Sequence, residues 1–480
     1  MARYSTLSLS FLRPFAPSYS PRLQARAMSH DQANLIKYKW IDGVETLEHY
    51  VPGGYHPVMI GDVLHDRYRI VDKLGFGGYS TVWLARDSRY ERYVALKVGI
   101  AHWAKDALLR ETSSLRALSA PLPSPASREQ RLGHGSIPCL LDQFEVHGPN
   151  GMHVCYTTTP ARCNLHEVSY SRLFPLDVAR ALSGGLALAL AYTHSRGYVH
   201  GGWSAHFALV FVPYSANHLG LYPDIQLQNI FVKLPSGFNA LSINQLYEKY
   251  GKPATMDVRR KDGEPLPPNI PPKAVLPLSL GKKAQEFTLA DVRVLLSDFG
   301  EAFAPATDIR PGKASNIPLA FQPPEVRFEP DAPLTFSSDI WSLATAIWEI
   351  IGMKAIFSTD WVTEDEMTAQ HIDELGPMPL SWWDRWEKRG EFFDENVCPI
   401  EGREVWPPLD QAFEDFVQVS RRKRGMGEFG KEETVALLQL MQHMLAYLPE
   451  DRPTVEEVLK SEWMVKWVMP DFERSLRAQQ

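Results

Sequence analysis

The 480-residue chain has few cysteines and no long apolar run, and both absences exclude classes of protein. The four cysteines show no CxxC spacing, which argues against a zinc site or a disulfide framework and favours a reducing compartment. They are Cys139, Cys155, Cys163 and Cys398. No apolar stretch reaches the roughly 20 residues that span a bilayer, so we expect no membrane insertion.

The chain also lacks a basic excess. Its net charge is −7 at pH 7, so we expect no direct binding of nucleic acid, and a basic partner is the better electrostatic match. Hydrophobic residues make up 44% of the chain, which is ordinary for a globular protein. The length allows two or three lobes with their own cores, and we expect a monomer.

Acidic residues are absent from the first 30 positions, which carry four arginines and many serines. This composition is typical of a mitochondrial presequence, and it is also compatible with a disordered tail or with translation that begins at Met28. We therefore expect residues 1–40 to be a disordered tail or a presequence. A presequence would place the protein in the mitochondrion.

Two regions of different secondary structure follow. Residues 68–160 place β-branched and aromatic residues between glycine turns, which predicts strands, with one helix over 104–120. Residues 161–467 are predicted to be mainly helical, and 468–480 form a C-terminal tail. The sequence therefore predicts an α+β fold with a small β-rich N-lobe and a larger α-helical C-lobe. The stretch 250–285, rich in Pro, Lys and Gly, is predicted to be a mobile loop.

A glycine-rich turn joins two predicted strands of the first lobe. In the motif Gly75-x-Gly77-x-x-Ser80-x-Val82, backbone N–H groups can approach phosphate oxygens without a Cβ in the way. The motif alone is a weak signal, because many hairpins contain GxG and because Ser80 replaces the usual third glycine.

Two charged residues in apolar surroundings add weight to that motif. Lys97 ends the apolar stretch 94–97, and a buried ammonium needs an anion, which Glu111 on the following helix can supply. The alternative is a lysine that reaches solvent from an edge strand. Asp298 follows an apolar strand and precedes Phe and Gly, which suits a metal ligand on a movable loop.

Three further motifs are predicted to be structural. They are Pro323-Pro324-Glu325, the helical stretch 337–352 and the stretch 449–459. We expect Glu325 to form a buried ion pair with Arg452, and Asp339 to cap backbone N–H groups near the active loop.

These motifs occur in the order found in eukaryotic protein kinases, which the chain resembles over about residues 68–467. The stretch 53–87, which begins GGYHPVMIGD, resembles the SR-protein kinase family and in particular its fungal branch. That family phosphorylates Arg-Ser repeat proteins, and a spacer before the DFG motif is typical of it; here the spacer would be 233–290. The resemblance implies a bilobal kinase fold, ATP and Mg²⁺ as cofactors, Arg/Ser-rich protein substrates, and a cytoplasmic and nuclear location.

The resemblance also assigns roles to residues. Lys97, fixed by Glu111, would bind the α- and β-phosphates of ATP, while Asn229 and Asp298 would bind Mg²⁺. Two catalytic-loop residues complete the catalytic set: Asp224 would accept the proton of the substrate hydroxyl, and His200 would anchor the loop. The expected ATP-binding residues are Leu74, Gly75, Phe76, Gly77, Gly78, Tyr79, Ser80, Val82, Ala95 and Lys97.

The expected catalytic loop is interrupted. The motif His-x-Asp-x-x-x-x-Asn begins at His200 and resumes at Asp224, so that the 22 residues 202–223 lie between its halves. Without them the chain reads YVHGDIQLQN, and our hypothesis is that they are translated from a retained intron. The alternative is a genuine insertion loop. Because a misplacement of about 1 Å impairs catalysis, we expect the chain with the insert to be weakly active or inactive.

Two substitutions inside the motif leave a second function open. Gln226 replaces the lysine that usually contacts the γ-phosphate, and Gly201 replaces the usual arginine, which suggests that no activating phosphate is needed. Gln226 and the split loop make a pseudokinase or binding scaffold the alternative. A small-molecule phosphotransferase is a third hypothesis, but the DFG motif and the motif at Glu325 favour a protein kinase.

The substrate side is expected to be acidic, because Arg-Ser substrates are polycationic. Residues 360–395 hold eleven acidic residues against three basic ones. They predict either an arginine-binding groove or a solvated helix face. The groove would be centred on Glu364, Asp365 and Glu366. Three nearby tryptophans are predicted to lie in the core rather than to bind cations. They are Trp382, Trp383 and Trp386.

Overall fold

The computed structural model describes residues 36–102, 105–169, 173–201, 227–315, 317–358 and 362–479. Six strands form the first sheet: β1 Val63–Leu64, β2 Tyr68–Gly77, β3 Ser80–Asp87, β4 Arg92–Gly99, β5 Leu140–Gly148 and β6 Gly151–Thr158. Their spatial order is β1-β2-β3-β4-β6-β5, and every neighbouring pair is antiparallel. The two predicted strands around the Pro-Asn-Gly turn are β5 and β6.

One helix, α1 Lys105–Leu118, packs against this sheet. Its residues Leu108 and Leu115 are buried in the same cluster as Val154 of β6. Positions seven apart lie on one helix face, and Glu111 lies between them on that face, where it is buried. The helix predicted over 104–120 is thus confirmed, and its amphipathic pattern directs Glu111 toward the sheet.

The second lobe is mainly helical. The helices that follow α1 along the chain, all but α5 in or against this lobe, are α2 Arg128–Gly135, α3 Leu165–Ser169, α4 Leu176–Ser195, α5 Ile243–Tyr250, α6 Glu325–Phe328, α7 Phe336–Gly352, α8 Glu364–Leu375, α9 Leu380–Trp383, α10 Leu409–Ala412, α11 Val419–Arg424, α12 Lys431–Met444, α13 Val455–Lys460 and α14 Met469–Ala478. Helices α4 and α7 are buried on nearly every side and form the centre of the lobe. The stretch expected as a C-terminal tail is α14, which packs on α4 with Phe472 buried.

A small sheet lies between the two lobes. Its strands are β7 Ala161–Asn164, β8 Ile230–Lys233 and β11 Val294–Leu296, in the antiparallel order β11-β8-β7. The register pairs Leu296 with Ile230. Asn229 before β8 therefore lies beside Ser297 after β11, and the Ser297 N–H donates to the Asn229 carbonyl at 3.0 Å.

The stretch 250–285, predicted to be a mobile loop, contains regular structure. Two strands, β9 Thr255–Asp257 and β10 Lys273–Val275, pair within it. Its residues Val258 and Ile270 are buried in one cluster with Tyr38 and Tyr50 from the N-terminal segment 36–58. We call this assembly of 36–58 and 254–276 the cap. Composition alone suggested disorder, but the scattered apolar residues of both segments bury one another.

The cap is attached to the first lobe, not to the helical lobe in which the spacer was expected. The Asn150 side chain, in the β5–β6 turn, donates to the carbonyls of Tyr55 at 2.7 Å and Asn269 at 2.8 Å. Helix α5 also packs on this lobe, since Leu246 is buried in one cluster with Val71. A disordered tail or presequence was expected over residues 1–40, but residues 36–40 belong to the cap. Residues 1–35 lie outside the described ranges.

The expected buried ion pair and tryptophan core are both present. Arg452 donates to Glu325 through two hydrogen bonds of 2.8 and 2.6 Å, and the Arg452 side chain is fully buried. Trp382 and Trp386 are buried in one cluster, and Trp383 packs against it. Within the described ranges, no helix combines the length and apolarity that crossing a membrane requires.

The buried ion pair generates a stability prediction. Glu325→Gln leaves the Arg452 guanidinium buried without a counter-charge, which should lower the free energy of unfolding by about 3 kcal/mol in urea titrations. Lys466→Gln is the control, because it breaks the exposed pair with Glu462 and should leave stability unchanged. Equal stability of the two variants would contradict the prediction.

A second prediction concerns pH. Burial, with a smaller contribution from His153, lowers the pKa of His56 to about 4, and the two rings lie 4.7 Å apart. His56 is therefore neutral in the folded chain while the unfolded chain takes up a proton near pH 6.5, so this histidine destabilises the fold as the pH falls below 6.5. At pH 4.5 the loss should be roughly 2 kcal/mol.

His56→Phe tests this, since phenylalanine retains an aromatic ring but cannot be protonated. The drop in unfolding free energy between pH 7 and pH 4.5 should be smaller in this variant than in the wild type. The exposed His443→Phe should keep the wild-type drop. If the unfolding free energy of His56→Phe fell by as much as that of the wild type, the assignment of this pH dependence to His56 would be refuted.

Candidate active site

A cleft of about 230 Å³ is lined by residues of both sheets. Eight of the ten expected ATP-binding residues line it: Leu74, Gly75, Phe76, Gly77, Ser80, Val82, Ala95 and Lys97. Gly78 and Tyr79 do not, because they form the tip of the β2–β3 turn, beyond the last paired residues Gly77 and Ser80. The glycine motif therefore forms one wall of the cleft.

The backbone of this wall is open on one side and supported on the other. A Cβ placed on Gly75 would meet no atom within 4 Å, so a ligand can approach the main chain there. The Tyr55 hydroxyl, from the cap, donates to the Gly77 carbonyl at 2.7 Å. Behind the loop, the fully buried Lys73 ammonium pairs with Glu45, also from the cap.

Lys97 and Glu111 meet inside the cleft. Strand register places Lys97 opposite Tyr156, and the Lys97 ammonium lies 2.7 Å from a Glu111 carboxylate oxygen. Both side chains are almost fully buried and both line the cleft. The pair thus presents a positive group with a fixed orientation to any anion that enters.

Asp298 lies close to this pair with an unsatisfied carboxylate. It follows β11, has a left-handed backbone with a φ of 66°, and lines the cleft. Among the described residues, no group forms a hydrogen bond with either of its buried carboxylate oxygens. Burial, and then the nearby Glu111 charge, raises the pKa of Asp298 to about 7, while Lys97 acts in the opposite direction. A nearby cation would stabilise the ionised form of such a carboxylate.

The donor set fits Mg²⁺. Asn229 and Asp298 offer oxygen ligands in one cleft, and the hydrogen bond between Ser297 and Asn229 keeps their chain segments adjacent. Across the described ranges, no three His, Cys, Asp or Glu side chains are grouped so as to hold a metal by themselves. Mg²⁺ in nucleotide sites usually takes one or two protein ligands and completes its shell with phosphate oxygens and water.

His200 lies beneath the cleft and not in its lining. Its backbone N–H donates to the Asp339 carboxylate at 2.7 Å, as expected for Asp339, and its ring nitrogen Nε2 lies 3.1 Å from the Ser297 carbonyl. The ring also contacts Phe299, with centroids 4.9 Å apart. Burial lowers the pKa of His200, so the ring is neutral. His200 thus connects the backbone before residue 202 to Asp339 and Ser297, outside the lining of the cleft.

The position of the missing arginine has no room for a side chain. Gly201 has a φ of 81°, and a Cβ there would lie 2.3 Å from the Glu301 carbonyl oxygen. Its N–H donates to Asp339 at 3.2 Å. The other half of the motif, with Asp224 and Gln226, and the insert 202–223 lie outside the described residues.

The sequence-based prediction missed several residues of the cleft. Asn164 and Glu167, from β7 and α3, line it and hydrogen-bond each other at 2.8 and 3.0 Å. Burial raises the pKa of Glu167 to about 7. Tyr156 of β6 lines the cleft beside Lys97, and Leu278 comes from the spacer. For Tyr156, Asn164 and Glu167 the sequence signal was their position. Each lies on or shortly after a strand in the part of the chain that passes from the first lobe to the second.

The acidic stretch at the start of α8 is largely used within the chain. Asp365 accepts from the Trp386 indole at 2.7 Å and also pairs with Arg327 and Lys388. Glu366 accepts from the backbone of Thr363 in a capping box. These contacts, together with the favourable position of acids at a helix N-terminus, favour the helix-face interpretation over an arginine groove centred here.

Comparison with known proteins bears on this site. No protein-family model matches the chain. A serine/threonine protein kinase of Aspergillus fumigatus is 24% identical over 420 residues, which cover 86% of this chain and 88% of that protein. The serine/threonine-protein kinase SRPK of Physarum polycephalum is 26% identical over 435 residues, or 88% and 91% of the two chains.

A shorter match has a higher sequence identity. SRSF protein kinase 3 of Homo sapiens is 44% identical over 108 residues, which cover 22% of this chain and 18% of that protein. The β-rich lobe, the helical lobe and the cleft between them agree with the fold that such relatives imply. The ordered motifs and these relatives together make the chain a Ser/Thr protein kinase that is similar to the SR-protein kinases.

Proposed function

We propose that this chain transfers the γ-phosphate of ATP, with Mg²⁺, to serine residues of Arg/Ser-rich proteins and so acts in the regulation of mRNA splicing. The observation that carries the proposal is the unpaired, buried Asp298 carboxylate next to the Lys97–Glu111 pair in a cleft with a glycine-rich wall. A cation and a polyphosphate would satisfy these groups together.

The described residues have distinct roles in this proposal. Lys97 binds the α- and β-phosphate oxygens, and Glu111 keeps the ammonium in place. Asp298 and Asn229 would hold the metal, which when bound would neutralise phosphate charge. The open main chain at Gly75 donates to phosphate oxygens.

The phosphate transfer itself involves Asp224 and Gln226, which lie outside the residues that the structure describes. The serine Oγ attacks the γ-phosphorus, the bond to the bridging oxygen breaks, and ADP leaves. The Asp224 carboxylate takes the hydroxyl proton. Gln226 offers an amide where a charge would stabilise the transition state better, which predicts a slower reaction than a lysine would give.

The substrate class is inferred from relatives and charge. One relative is named as a kinase of SRSF proteins, and the net charge of −7 suits polycationic Arg/Ser segments. We propose that the enzyme acts as a monomer in the cytoplasm and nucleus, with the mitochondrion as the alternative. We propose no direct contact with nucleic acid or membranes.

A pseudokinase or binding scaffold is the second candidate. The insert between Gly201 and Asp224 favours it, because Asp339 fixes the backbone before the insert while the residues after it must return to the same cleft. Such a protein would bind nucleotide without transferring phosphate.

The first prediction of this proposal concerns the insert. Deleting residues 202–223 should raise kcat/KM on an Arg-Ser peptide by about 100-fold or more, because the proton acceptor then follows Gly201 directly. The measurement is transfer of radiolabelled γ-phosphate by the full-length and shortened chains. Asp298→Asn in the shortened chain is the control and should lower kcat by about 100-fold or more.

Each result separates the candidates. Equal, high activity of both chains would refute the effect of the insert but keep the kinase function. Nucleotide binding without transfer by either chain would favour the scaffold. Spliced transcripts that join Gly201 to Asp224 would support the retained intron, and their complete absence would refute it.

The second prediction concerns the support of the glycine-rich wall. Tyr55→Phe removes one hydrogen bond to the Gly77 carbonyl, so the loop should bind phosphates less well and the KM for ATP should rise about 3- to 5-fold. The kcat of the shortened chain should change less than about 2-fold. Tyr90→Phe, at an exposed tyrosine, should leave both constants unchanged. An unaltered KM in Tyr55→Phe would contradict this role of the cap.

A further inference from the structure

One stretch of the spacer runs along the cleft and is bonded to parts of both lobes. In the segment 275–281, the Leu278 N–H donates to the Lys73 carbonyl of β2 at 2.7 Å. Two residues on, the Leu280 carbonyl accepts from the Arg162 guanidinium at 2.9 Å, and Arg162 belongs to β7. The backbone around Leu278 is therefore fixed from two sides.

Salt bridges hold the end of this stretch. The Lys282 ammonium lies 2.6 Å from Asp291, and Arg162 reaches the same carboxylate at 2.9 Å. All three side chains are at most about a quarter exposed, so these pairs are more persistent than pairs on an open surface. The segment is thus built into the edge of the site.

The Leu278 side chain points into the cleft. Among the described residues that line the cleft, Leu278 is the one from the spacer 233–290. It packs in the same apolar cluster as Leu74, which begins the glycine-rich wall. Leu276, two residues earlier on the same segment, packs against the cap cluster instead and does not line the cleft.

We propose that Leu278 is a nucleotide-binding residue and that its side chain covers the adenosine part of the bound nucleotide. This rests on the proposed function, because it takes the cleft as the ATP site. The phosphates belong near Lys97 and Asp298, so an apolar side chain beside Leu74 at the other edge of the cleft suits the base and ribose. The spacer thereby contributes directly to the ATP site.

The test is titration calorimetry of the 480-residue chain with Mg-ADP and with adenosine. Leu278→Ala should raise the Kd for both ligands by the same factor, about 5-fold, because the lost contact is apolar and lies on the nucleoside. Leu276→Ala is the matched control, with the same loss of side chain on the same segment, and should stay within about 2-fold of the wild type.

A second variant guards against misfolding. Leu278→Gln keeps the length of the side chain but exposes the nucleoside to a polar group, and it should weaken both ligands to a similar degree. Thermal unfolding of every variant reports whether the fold is retained.

The outcomes distinguish a failure of the Leu278 assignment from a failure of the proposed function. Wild-type affinity in both folded Leu278 variants would overturn the assignment while leaving the proposed function intact. Equal weakening by Leu276→Ala and Leu278→Ala would also overturn it, since the segment would then act through the fold rather than by contact. A wild-type chain that binds neither ligand would overturn the proposed function and this assignment together.

Discussion

The arrangement of the site depends on one buried carboxylate. Asp339, in the core helix α7, accepts hydrogen bonds from the backbone of His200 and Gly201 and lies 2.9 Å from the His194 ring. A carboxylate that is 2% exposed requires such partners, because burying it alone would be costly. His200 in turn holds the Ser297 carbonyl directly before Asp298. The rigid centre of the helical lobe therefore sets the position of the loop that begins at Asp298.

Features encoded within short stretches could be predicted from the sequence. Helix α1 follows from apolar residues at helical spacing, and the β5–β6 hairpin follows from its Pro-Asn-Gly turn. The pairs Lys97–Glu111 and Glu325–Arg452 could be inferred because a buried charge demands a partner and few partners occur at the expected places in the motif order. In each case one physical requirement left few alternatives.

Features that depend on contacts between distant segments could not be predicted from the sequence. The stretch 250–285 has the composition of a linker, and its order arises from contacts with residues 36–58, some 200 positions away. Glu167 and Leu278 have no local signal of a binding role, since the cleft is assembled from both lobes and the spacer. For the acids at Glu364, Asp365 and Glu366, the sequence left a groove and a helix face equally open, because their internal partners were not visible in it.

The cap has a practical consequence for the boundaries of the folded unit. The glycine-rich motif and the other motifs of the cleft begin only after residue 68, yet Tyr38, Tyr50 and Tyr55 bury apolar surface of the spacer. A recombinant chain that starts at the first motif would leave that surface, with Val258 and Ile270, open to water. Exposed apolar patches of this kind promote self-association. The segment 36–58 is therefore an integral part of the folded enzyme, although none of its residues is among those that line the cleft.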